Sequence, residues 1–339
     1  MVGRSGPCYG PRPSGFQVDR TPSRANGPFS PGLAGLWDFE DFESFAAASP
    51  GWDQRHQQLG SGTSTVRLAL AQSGNVQLAV VRRAAGVRVE GVPPVDSITF
   101  GVVLGGEVRV DGELYGPGWV ACMRGGKPIE VHAPASSVTL TMCVDKGLFD
   151  RLACESPDAL GDGGPLLLRD ESARRSLVAT WCRWIKRARR DVSWLTDPGR
   201  AGVLEDAAVS VLLRCLDQRR PQRLAQPSRR SVREAEETIR ARLRDPLAVQ
   251  EIADSLGMSR RTLHAGFVRQ YGVSPKAYHQ ALRLDAVRSE LRRALPGARV
   301  GDVARRWSFL HLGRFSVDYR RAFGESPSAT LRRALRSRG

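Results

Sequence analysis

The spacing of apolar residues changes along the chain from a period of two to a period of three to four. The first half contains short alternating or β-branched runs broken by glycine, such as "TVRLAL", "VQLAVV", "SITFGVVL", "EVRVDGELYG", "WVACM" and "SVTLTMCV". Alternation of this kind predicts β-strands, and the Asp111-Gly112 step between two alternating runs predicts a tight hairpin. Residues 36–165 are therefore predicted to form a small all-β barrel or sandwich.

Helical spacing follows the predicted strands. The segments "ESARRSLVATWCRWIKRARR" and "RAGVLEDAAVSVLLRCLDQRR" place apolar residues at steps of three and four, which predicts two helices within 166–220. Their apolar stripes exceed what a small barrel can cover, so we expect a homodimer that buries the remainder; packing onto their own barrel is the alternative. The stripes comprise Leu177, Trp181, Trp184, Val203, Val209 and Leu213.

Two further segments carry neither kind of spacing. Residues 1–35 are rich in proline, glycine and serine and are predicted to be a disordered tail. Residues 221–231, "PQRLAQPSRRS", are predicted to be a linker. At 339 residues the chain suits about two domains, and the second is predicted to span 232–339.

A break in helical spacing marks residues 252–275, "IADSLGMSRRTLHAGFVRQYGVSP". Gly257 permits the positive φ of a sharp turn, Met258 fills that turn, and Ser259 is placed to cap the next helix. The second helix leaves three side chains on its outer side: Arg260, Arg261 and His264. This pattern predicts a helix-turn-helix, whose second helix fits the DNA major groove; a helical hairpin with a solvated charged face is the alternative.

The same pattern recurs later in the chain. "EIADSLGMS" aligns with "DVARRWSFLH" at an offset of 51 residues, and "FVRQYGVSPKA" aligns with "YRRAFGESPSA" at an offset of 52, so the second turn has one more residue. Between the copies, "SPKAYHQALRLDAVRSELRRAL" predicts one long helix that would hold the two units at a fixed separation. Repetition at fixed spacing favours repeated architecture over an unrelated hairpin.

Positive charge is concentrated in the same half of the chain. The whole chain carries 51 Lys and Arg against 35 Asp and Glu, a net charge of +16. Residues 1–170 hold 15 basic and 18 acidic side chains, whereas 171–231 hold 14 and 6, and 232–339 hold 22 and 11. Such a distribution predicts a polyanionic partner, and double-stranded DNA fits the helix-turn-helix pattern. Since no apolar stretch or signal core suggests a membrane or export, we expect a cytoplasmic protein associated with the nucleoid.

Residues 232–339 resemble the DNA-binding domain of the AraC/XylS family of bacterial transcription regulators. The resemblance rests on the two joined units and on "GVSPKAYHQALRLDAVRSEL" and "GESPSATLRRAL". It implies two recognition helices in successive major grooves on one face of DNA, with RNA polymerase as a further partner. Carried over by position, the DNA-contacting residues are Ser259, Arg260, Arg261, Thr262 and His264 in the first unit, and His311, Gly313, Arg314, Ser316 and Val317 in the second.

Two departures from the family pattern concern the recognition helix and the second turn. Ala265 and Gly266 stand where the pattern usually has an arginine and a stronger helix former, and glycine within a helix costs about 1 kcal/mol relative to alanine. Ser308 replaces the usual glycine before Phe309, which predicts a slightly different second turn.

The N-terminal half resembles the cupin-like effector domains attached to many members of that family, and more weakly those of ethanolamine-operon-type regulators. The predicted fold is therefore α+β in two domains: an N-terminal all-β cupin-like barrel with a helical segment, and a C-terminal all-α double helix-turn-helix. A small-molecule effector is implied, and four strand residues are candidates to line its pocket, with an ordinary core position as the alternative. These residues are Phe100, Tyr115, Trp119 and Met123.

The sequence does not indicate catalytic or metal chemistry. A metal-binding cupin needs two histidines one residue apart and a nearby glutamate, whereas His56 and His132 are isolated. No nucleophile-base or paired-carboxylate pattern stands out, so we expect no enzyme activity, no cofactor and no metal. The six cysteines lie far apart without a C-x-x-C pair, and in a reducing compartment they are expected to be small buried apolar side chains.

These observations favour a sequence-specific transcription regulator that responds to a small-molecule effector. Two other functions stay open. A constitutive architectural DNA-binding protein would read DNA shape and phosphate charge with little base preference. A cupin enzyme fused to a DNA-binding module is the third, and the missing histidine cluster argues against it.

Overall fold

Two compact units make up the chain, with β-strands and helices in the first and mainly helices in the second. The computed structural model describes residues 22–23, 26–60, 62–153, 163–216 and 227–336. The first unit is formed by Met1–His56, Thr65–Arg83 and Val89–Arg223, and the second by Gln57–Ser64, Ala84–Arg88 and Leu224–Gly339. The predicted fold class, an N-terminal β-rich domain and a C-terminal helical domain, is confirmed.

Strands fill the first half of the chain. Within the described residues they are β1 (Leu33–Phe39), β2 (Asp53–Gln58), β3 (Val66–Gln72), β4 (Val76–Arg83), β5 (Val87–Val92), β6 (Ser97–Gly105), β7 (Val108–Val110), β8 (Glu113–Tyr115), β9 (Trp119–Arg124), β10 (Ile129–Ala133), β11 (Val138–Asp145) and β12 (Gly164–Leu167). The helices that accompany them are α1 (Phe42–Ala47), α2 (Lys146–Leu152), α3 (Glu171–Arg190), α4 (Ser193–Thr196) and α5 (Pro198–Cys215).

The strands form two sheets. One has the order β1-β3-β4-β11-β6-β9-β12 with antiparallel neighbours, and the other has the order β2-β5-β10-β7-β8. Asp111 and Gly112 have φ values of 49° and 79° and connect the antiparallel strands β7 and β8. The tight hairpin expected from the Asp-Gly step is therefore present, because the left-handed region at both turn residues matches the twist of the flanking strands.

Helix α3 packs on the larger sheet, and α5 packs on α3. Trp181 is fully buried there and donates from Nε1 to Ala208 O at 2.9 Å, and Leu177, Trp184 and Val209 belong to the same core. Among the stripe residues, Val203 stays 65% exposed and Leu213 is partly buried. Most of these stripe positions are therefore already covered within one copy of the chain, by the core that α3 and α5 share with the sheet, and the argument for a dimer from uncovered stripes is wrong for them. The homodimer itself stays a prediction.

Regular structure extends into both the predicted tail, residues 1–35, and the predicted linker, residues 221–231. Strand β1 begins at Leu33, inside the predicted tail, and Gln72 Nε2 donates to Gly27 O at 2.7 Å and to Ser30 O at 2.9 Å. Residues 1–21, 24–25 and 217–226 lie outside the described residues. Helix α6 (Pro227–Ala241) begins within the predicted linker, because Val232 and the apolar residues that follow it provide a buried stripe.

The second unit continues from α6 with six more described helices. They are α7 (Val249–Ser255), α8 (Arg260–Tyr271), α9 (Pro275–Arg293), α10 (Val300–Arg306), α11 (Leu312–Phe323) and α12 (Pro327–Arg336). These helices surround two hydrophobic cores, one between α6 and the first half of α9 and the other between the second half of α9 and α12. Each core belongs to one predicted helix-turn-helix unit.

The described cysteines differ in their chemistry. Cys122, Cys143 and Cys215 are free and buried, as expected from their scattered spacing. Cys182 is disulfide-bonded, which the sequence pattern did not predict. Of the helices in the described part of the chain, none combines the length and hydropathy needed to cross a bilayer.

Candidate nucleic-acid interface and ligand cavity

The first helix-turn-helix unit consists of α7, a sharp turn and α8. Gly257 adopts φ +63° in the turn, and Met258 N donates to Ala253 O at 2.9 Å, which reverses the chain. Ser259 Oγ then accepts from Thr262 N at 3.0 Å and caps α8. The predicted roles of the turn glycine and the serine cap are therefore both observed, since the glycine has the required φ and the serine satisfies an otherwise unpaired helix amide.

The second helix-turn-helix unit repeats this turn with a serine in place of the glycine. Ser308 has φ +58°, in the same left-handed region, and Phe309 N donates to Ala304 O at 3.0 Å, at the position equivalent to the first unit. The difference expected at Ser308 itself is therefore not observed, because the serine takes the backbone conformation of the turn glycine. The side-chain hydroxyl of Ser308 donates to Arg244 O, and this hydrogen bond accompanies the unusual backbone conformation.

One extra residue precedes the second recognition helix. Helices α7 and α10 start 51 residues apart, whereas α8 and α11 start 52 residues apart and have 12 residues each. The predicted insertion lies before His311, which takes the N-cap position of α11 without a capping side-chain hydrogen bond. Both recognition helices end at a left-handed glycine, Gly272 and Gly324, with φ values of 73° and 75°.

Helix α9 is shared by the two helix-turn-helix units. Tyr278 and Leu282 lie in the first core, and Leu284, Val287 and Leu291 lie in the second. A single helix that contributes to both cores fixes the spacing and the rotation of one unit relative to the other, as the sequence pattern predicted.

Polar side chains of α9 reinforce this connection. Arg283 Nε donates to Trp307 O at 2.8 Å, at the end of α10, and its guanidinium lies 4.3 Å from the centre of the Phe309 ring. Burial lowers the pKa of Arg283, and burial, followed by the charge of Arg283, lowers the pKa of His279. His279 Nε2 is 3.1 Å from Leu243 O, so this ring nitrogen is already engaged in a hydrogen bond with the backbone.

The predicted DNA-contacting residues lie on the exposed sides of α8 and α11. All ten are exposed: Ser259, Arg260, Arg261, Thr262, His264, His311, Gly313, Arg314, Ser316 and Val317. The Arg314 side chain is 83% exposed and its Nε lies 3.8 Å from Asp318 Oδ2, while Val317 is 60% exposed. Ser316 Oγ donates to Leu312 O at 2.9 Å, and Ser259 Oγ is occupied by its cap, so these two hydroxyls are already bonded.

A cleft of about 710 Å³ lies within the second unit and touches both helix-turn-helix motifs. Arg260 of α8 and Arg314 of α11 both line it. Lys276 and Gln280 of α9 line it as well, and sequence reasoning missed them because they lie on the connecting helix. The Ser-Pro start of α9 places Lys276 in its first turn, where an exposed cation would have been the available signal.

Gly266 has a packing reason that the sequence could not reveal. A Cβ atom at this position would lie 2.4 Å from Val232 Cγ2 on α6, well inside the contact distance of two carbon atoms. Glycine therefore permits α8 to approach α6 closely. Ala265, the other departure from the family pattern, is exposed.

The N-terminal compact unit, which holds the two sheets, contains a cavity of about 120 Å³ between them. Tyr115 and Met123 line this cavity, as proposed for a ligand pocket. Phe100 does not, because alternation along β6 turns it to the opposite face, where its ring centre lies 5.5 Å from that of Phe149 in the core. Trp119, at the start of β9, is not among the described lining residues either.

The two N-terminal histidines have different neighbours. The ring of His56 stacks on Phe42 at 5.6 Å, and burial, assisted by the charge of Arg83, lowers its pKa to about 3. His132 Nδ1 lies 3.5 Å from Glu130 Oε1 on β10. In the part of the chain that the structure describes, no group of three or more His, Cys, Asp or Glu side chains is arranged to hold a metal ion.

Comparison with known proteins agrees with the geometry of the second unit. Residues 252–333 match the family described as "Helix-turn-helix domain". Over 102 residues the chain is 39% identical to the probable thc operon regulatory protein of Rhodococcus erythropolis, covering 30% of this chain and 31% of that protein. Over 95 residues it is 37% identical to the XylDLEGF operon transcriptional activator of Pseudomonas putida, covering 28% and 30% respectively.

A solved structure adds a third relative. The probable AraC family transcriptional regulator from Rhodopseudomonas palustris CGA009 is 35% identical, covering 31% of this chain and 98% of that chain, with a TM-score of 0.30. The match spans about a third of the length of the two operon regulators. Residues 252–333, which match the helix-turn-helix family, contain both turns, both recognition helices and the shared helix α9. The C-terminal part of the chain therefore belongs to the AraC/XylS family of helix-turn-helix DNA-binding domains.

Proposed function

We propose that this chain is a sequence-specific DNA-binding transcription regulator that responds to a small-molecule effector. The observation that carries the proposal is the pair of exposed recognition helices, α8 and α11, attached to one shared helix. At about 1.5 Å per residue, the 19 residues of α9 extend about 28 Å, close to the ~34 Å between major grooves on one face of B-DNA.

In this proposal the arginines supply base recognition. Arg260 and Arg261 in α8 and Arg314 in α11 have exposed side chains that can reach guanine edges with two hydrogen bonds each. Ser259 and Ser316 contribute less to base reading, because each hydroxyl is already bonded within its own helix. Lys276 at the cleft is suited to a phosphate contact, which positions the protein without specifying sequence.

Gel-shift titration on an operator found by mapping genomic binding sites tests base recognition. Arg261→Ala should weaken operator binding by about 1–3 kcal/mol and relax specificity at one base position. Arg269→Ala is the matched control, because Arg269 is an exposed arginine in the last turn of the same helix, away from the turn. Equal effects of the two variants would contradict the assigned reading face. Equal affinity of the wild type for operator and random duplex would favour an architectural protein instead.

Footprinting tests the use of both units. The wild type should protect two major-groove patches about one helical turn apart on the same face of the DNA. Arg261→Ala should weaken protection of one patch and Arg314→Ala that of the other. A single short patch that only one variant affects would mean that only one unit engages DNA.

The remaining partners belong to the same proposal. A regulator of this kind acts on RNA polymerase in the cytoplasm, and it carries no catalytic role of its own. The cavity between the sheets supports a small-molecule effector, with Tyr115 and Met123 among its walls. Homodimer formation is tested by light scattering of the full chain at tens of micromolar with and without operator DNA, and a monomeric mass under both conditions would exclude the dimer.

A further inference from the structure

Helix α3 carries a basic face along its exposed side. Of the charged residues in Glu171–Arg190, seven are basic and one is acidic. Four exposed members, Arg175, Arg183, Lys186 and Arg190, follow one another at steps of eight, three and four residues and therefore lie on one side of the helix. At about 1.5 Å per residue, this basic face extends about 22 Å along the helix axis.

Carboxylates leave most of the basic face uncompensated. In the part of the chain that the structure describes, Arg183, Lys186 and Arg190 take part in no ion pair. Asp191, the residue that follows the helix, has Oδ2 at 3.9 Å from Arg200 Nη1, so its charge is shared with a cation of α5. The positive charge of the basic face is therefore presented to solvent, where it attracts polyanions.

The stability of α3 does not account for the whole basic face. Basic residues in the last turn, such as Arg187 and Arg190, interact favourably with the negative end of the helix dipole. Arg175 and Arg183 precede the last turn, and the dipole effect falls off within that turn. Beside the face, the Arg187 guanidinium lies 3.7 Å from the centre of the Trp194 ring, which restrains one more cation near the helix end.

The exposed side of α3 offers charge but little apolar surface. Its apolar side lies in the core, where Leu177, Trp181 and Ile185 have no exposure, whereas a helix that lies in a membrane surface needs that side free. Between the cations the exposed residues are Ser176 and Ala179, so the face lacks the large anchor side chains around which protein interfaces are built. Interfaces with DNA are polar and strongly positive, and this composition matches them.

We propose that the basic face of α3 is a second DNA-contact surface, which binds phosphate groups of double-stranded DNA without reading bases. This inference rests on the proposed DNA-binding function and adds a contact outside the helix-turn-helix units. Three of its four cations are arginines, whose paired N–H groups match two phosphate oxygens. Phosphates of one strand recur about every 3.4 Å along the duplex axis, so a face about 22 Å long can reach several of them.

The salt dependence of DNA binding by the full chain tests this proposal, because each phosphate contact releases counterions and steepens the fall of log affinity with log salt by about 0.9. Arg183→Gln/Arg190→Gln removes two contacts, so the slope should become shallower by about 2 on a long operator duplex with flanking DNA. Between about 50 and 200 mM salt, the affinity of the wild type should then fall about 12-fold more than that of this variant.

Arg55→Gln/Lys127→Gln is the matched control. Arg55 on β2 and Lys127 in the turn after β9 are exposed residues of the same compact unit, and their removal lowers the net charge by the same amount. This control should keep the wild-type slope. Because the basic face reads no bases, the α3 variant should weaken binding to operator and to random duplex by the same factor and leave the preference for operator unchanged.

A conservative pair separates charge from fold. Arg183→Lys/Arg190→Lys keeps both charges and should keep the wild-type slope, and hydrogen exchange of α3 reports whether each variant folds. If the glutamine pair fails to fold, Arg175→Gln/Lys186→Gln replaces it and should have the same effect, since both residues belong to the same face.

Three results would overturn the inference. The α3 variant keeps the wild-type slope, the control variant loses as much slope as the α3 variant, or the α3 variant loses activity in a purified transcription system while its DNA binding is unchanged, which would assign the face to a protein partner. The preference of the wild type for operator over random duplex is measured in the same titrations. Its absence would refute the proposed function, whereas an unchanged slope refutes only the second DNA contact.

Discussion

Replacing Gly266 by alanine should destabilise the first helix-turn-helix unit, although alanine is the better helix former. The added Cβ would lie 2.4 Å from Val232 Cγ2, and Val232 is only 2% exposed within the core between α6 and α8. A β-branched side chain in a helix has one strongly preferred rotamer, so the valine cannot turn away freely. Either α8 must move outward or the valine must adopt a strained rotamer.

The two opposing contributions set the magnitude. Alanine gains about 1 kcal/mol over glycine inside a helix, and crowding a packed core costs about 1–3 kcal/mol. The expected net loss is about 1 kcal/mol. With Val232→Ala the crowding methyl group is absent, so Gly266→Ala should then stabilise the unit by about 1 kcal/mol. The double-mutant cycle should therefore show a coupling of about 2 kcal/mol between the two positions.

Amide hydrogen exchange of α8 in the full chain measures this effect, because protection reports the local free energy of opening. Gly313→Ala in α11 is the control: a Cβ there meets no atom within 4 Å, so alanine should not reduce protection. An increase of protection in α8 by Gly266→Ala alone would refute the close-approach argument. So would an effect of the same sign and size in the Val232→Ala background.

Three further predictions concern the stability of the full chain. Gly257→Ala should cost about 1 kcal/mol of protection in α7 and α8, because φ +63° is unfavourable for a residue with a Cβ although no atom lies within 4 Å of it; unchanged exchange would contradict this. Glu236 is 3% exposed, accepts a hydrogen bond from Tyr278 Oη at 2.7 Å and pairs with Arg240 Nε at 2.8 Å. Glu236→Gln should therefore lower the free energy of opening of the C-terminal compact unit, measured by hydrogen exchange, by about 3–5 kcal/mol. A loss below about 1 kcal/mol would contradict the pairing. His56 has a pKa near 6.5 in the unfolded chain and about 3 in the folded chain. Its contribution to the free energy of unfolding is therefore fully present above about pH 6.5 and falls by about 1.4 kcal/mol per pH unit as the pH drops toward 3. His56→Phe should remove that component in urea titrations at several pH values, and an unchanged slope would show that the native histidine is protonated.

The repeat made most of the second unit predictable from the sequence. The turn glycine, the Ser259 cap and the long connecting helix follow from local spacing, because each depends on residues within one or two helical turns. Gly266 was not interpretable in the same way, since its reason is Val232, 34 positions earlier on another helix. Ser308 shows a similar limit, because residue type alone does not reveal that its backbone takes the conformation of the glycine it replaces.

The first unit shows a different limit. Alternation predicts that neighbouring strand residues face opposite ways, yet it does not say which face a helix covers and which face encloses a cavity. Tyr115 lines the cavity and Phe100 lies beneath α2, although both are buried aromatic residues on strands. The same limit applies to the stripes of α3 and α5. Spacing along each helix shows that a stripe is apolar, but it does not show that the two helices pack on one another and share a core with the larger sheet.

The shared helix α9 has a consequence for how the DNA-binding region unfolds. Side chains of α9 complete both hydrophobic cores. If one helix-turn-helix unit unfolds, the half of α9 that packs in its core loses its apolar contacts, and this loosens the helix that also supports the other core. The two units should therefore behave as one cooperative folding block. A half-site that stabilises the native state of the first unit also makes opening of the second less frequent, so that specific DNA acts as a folding ligand for residues it does not touch.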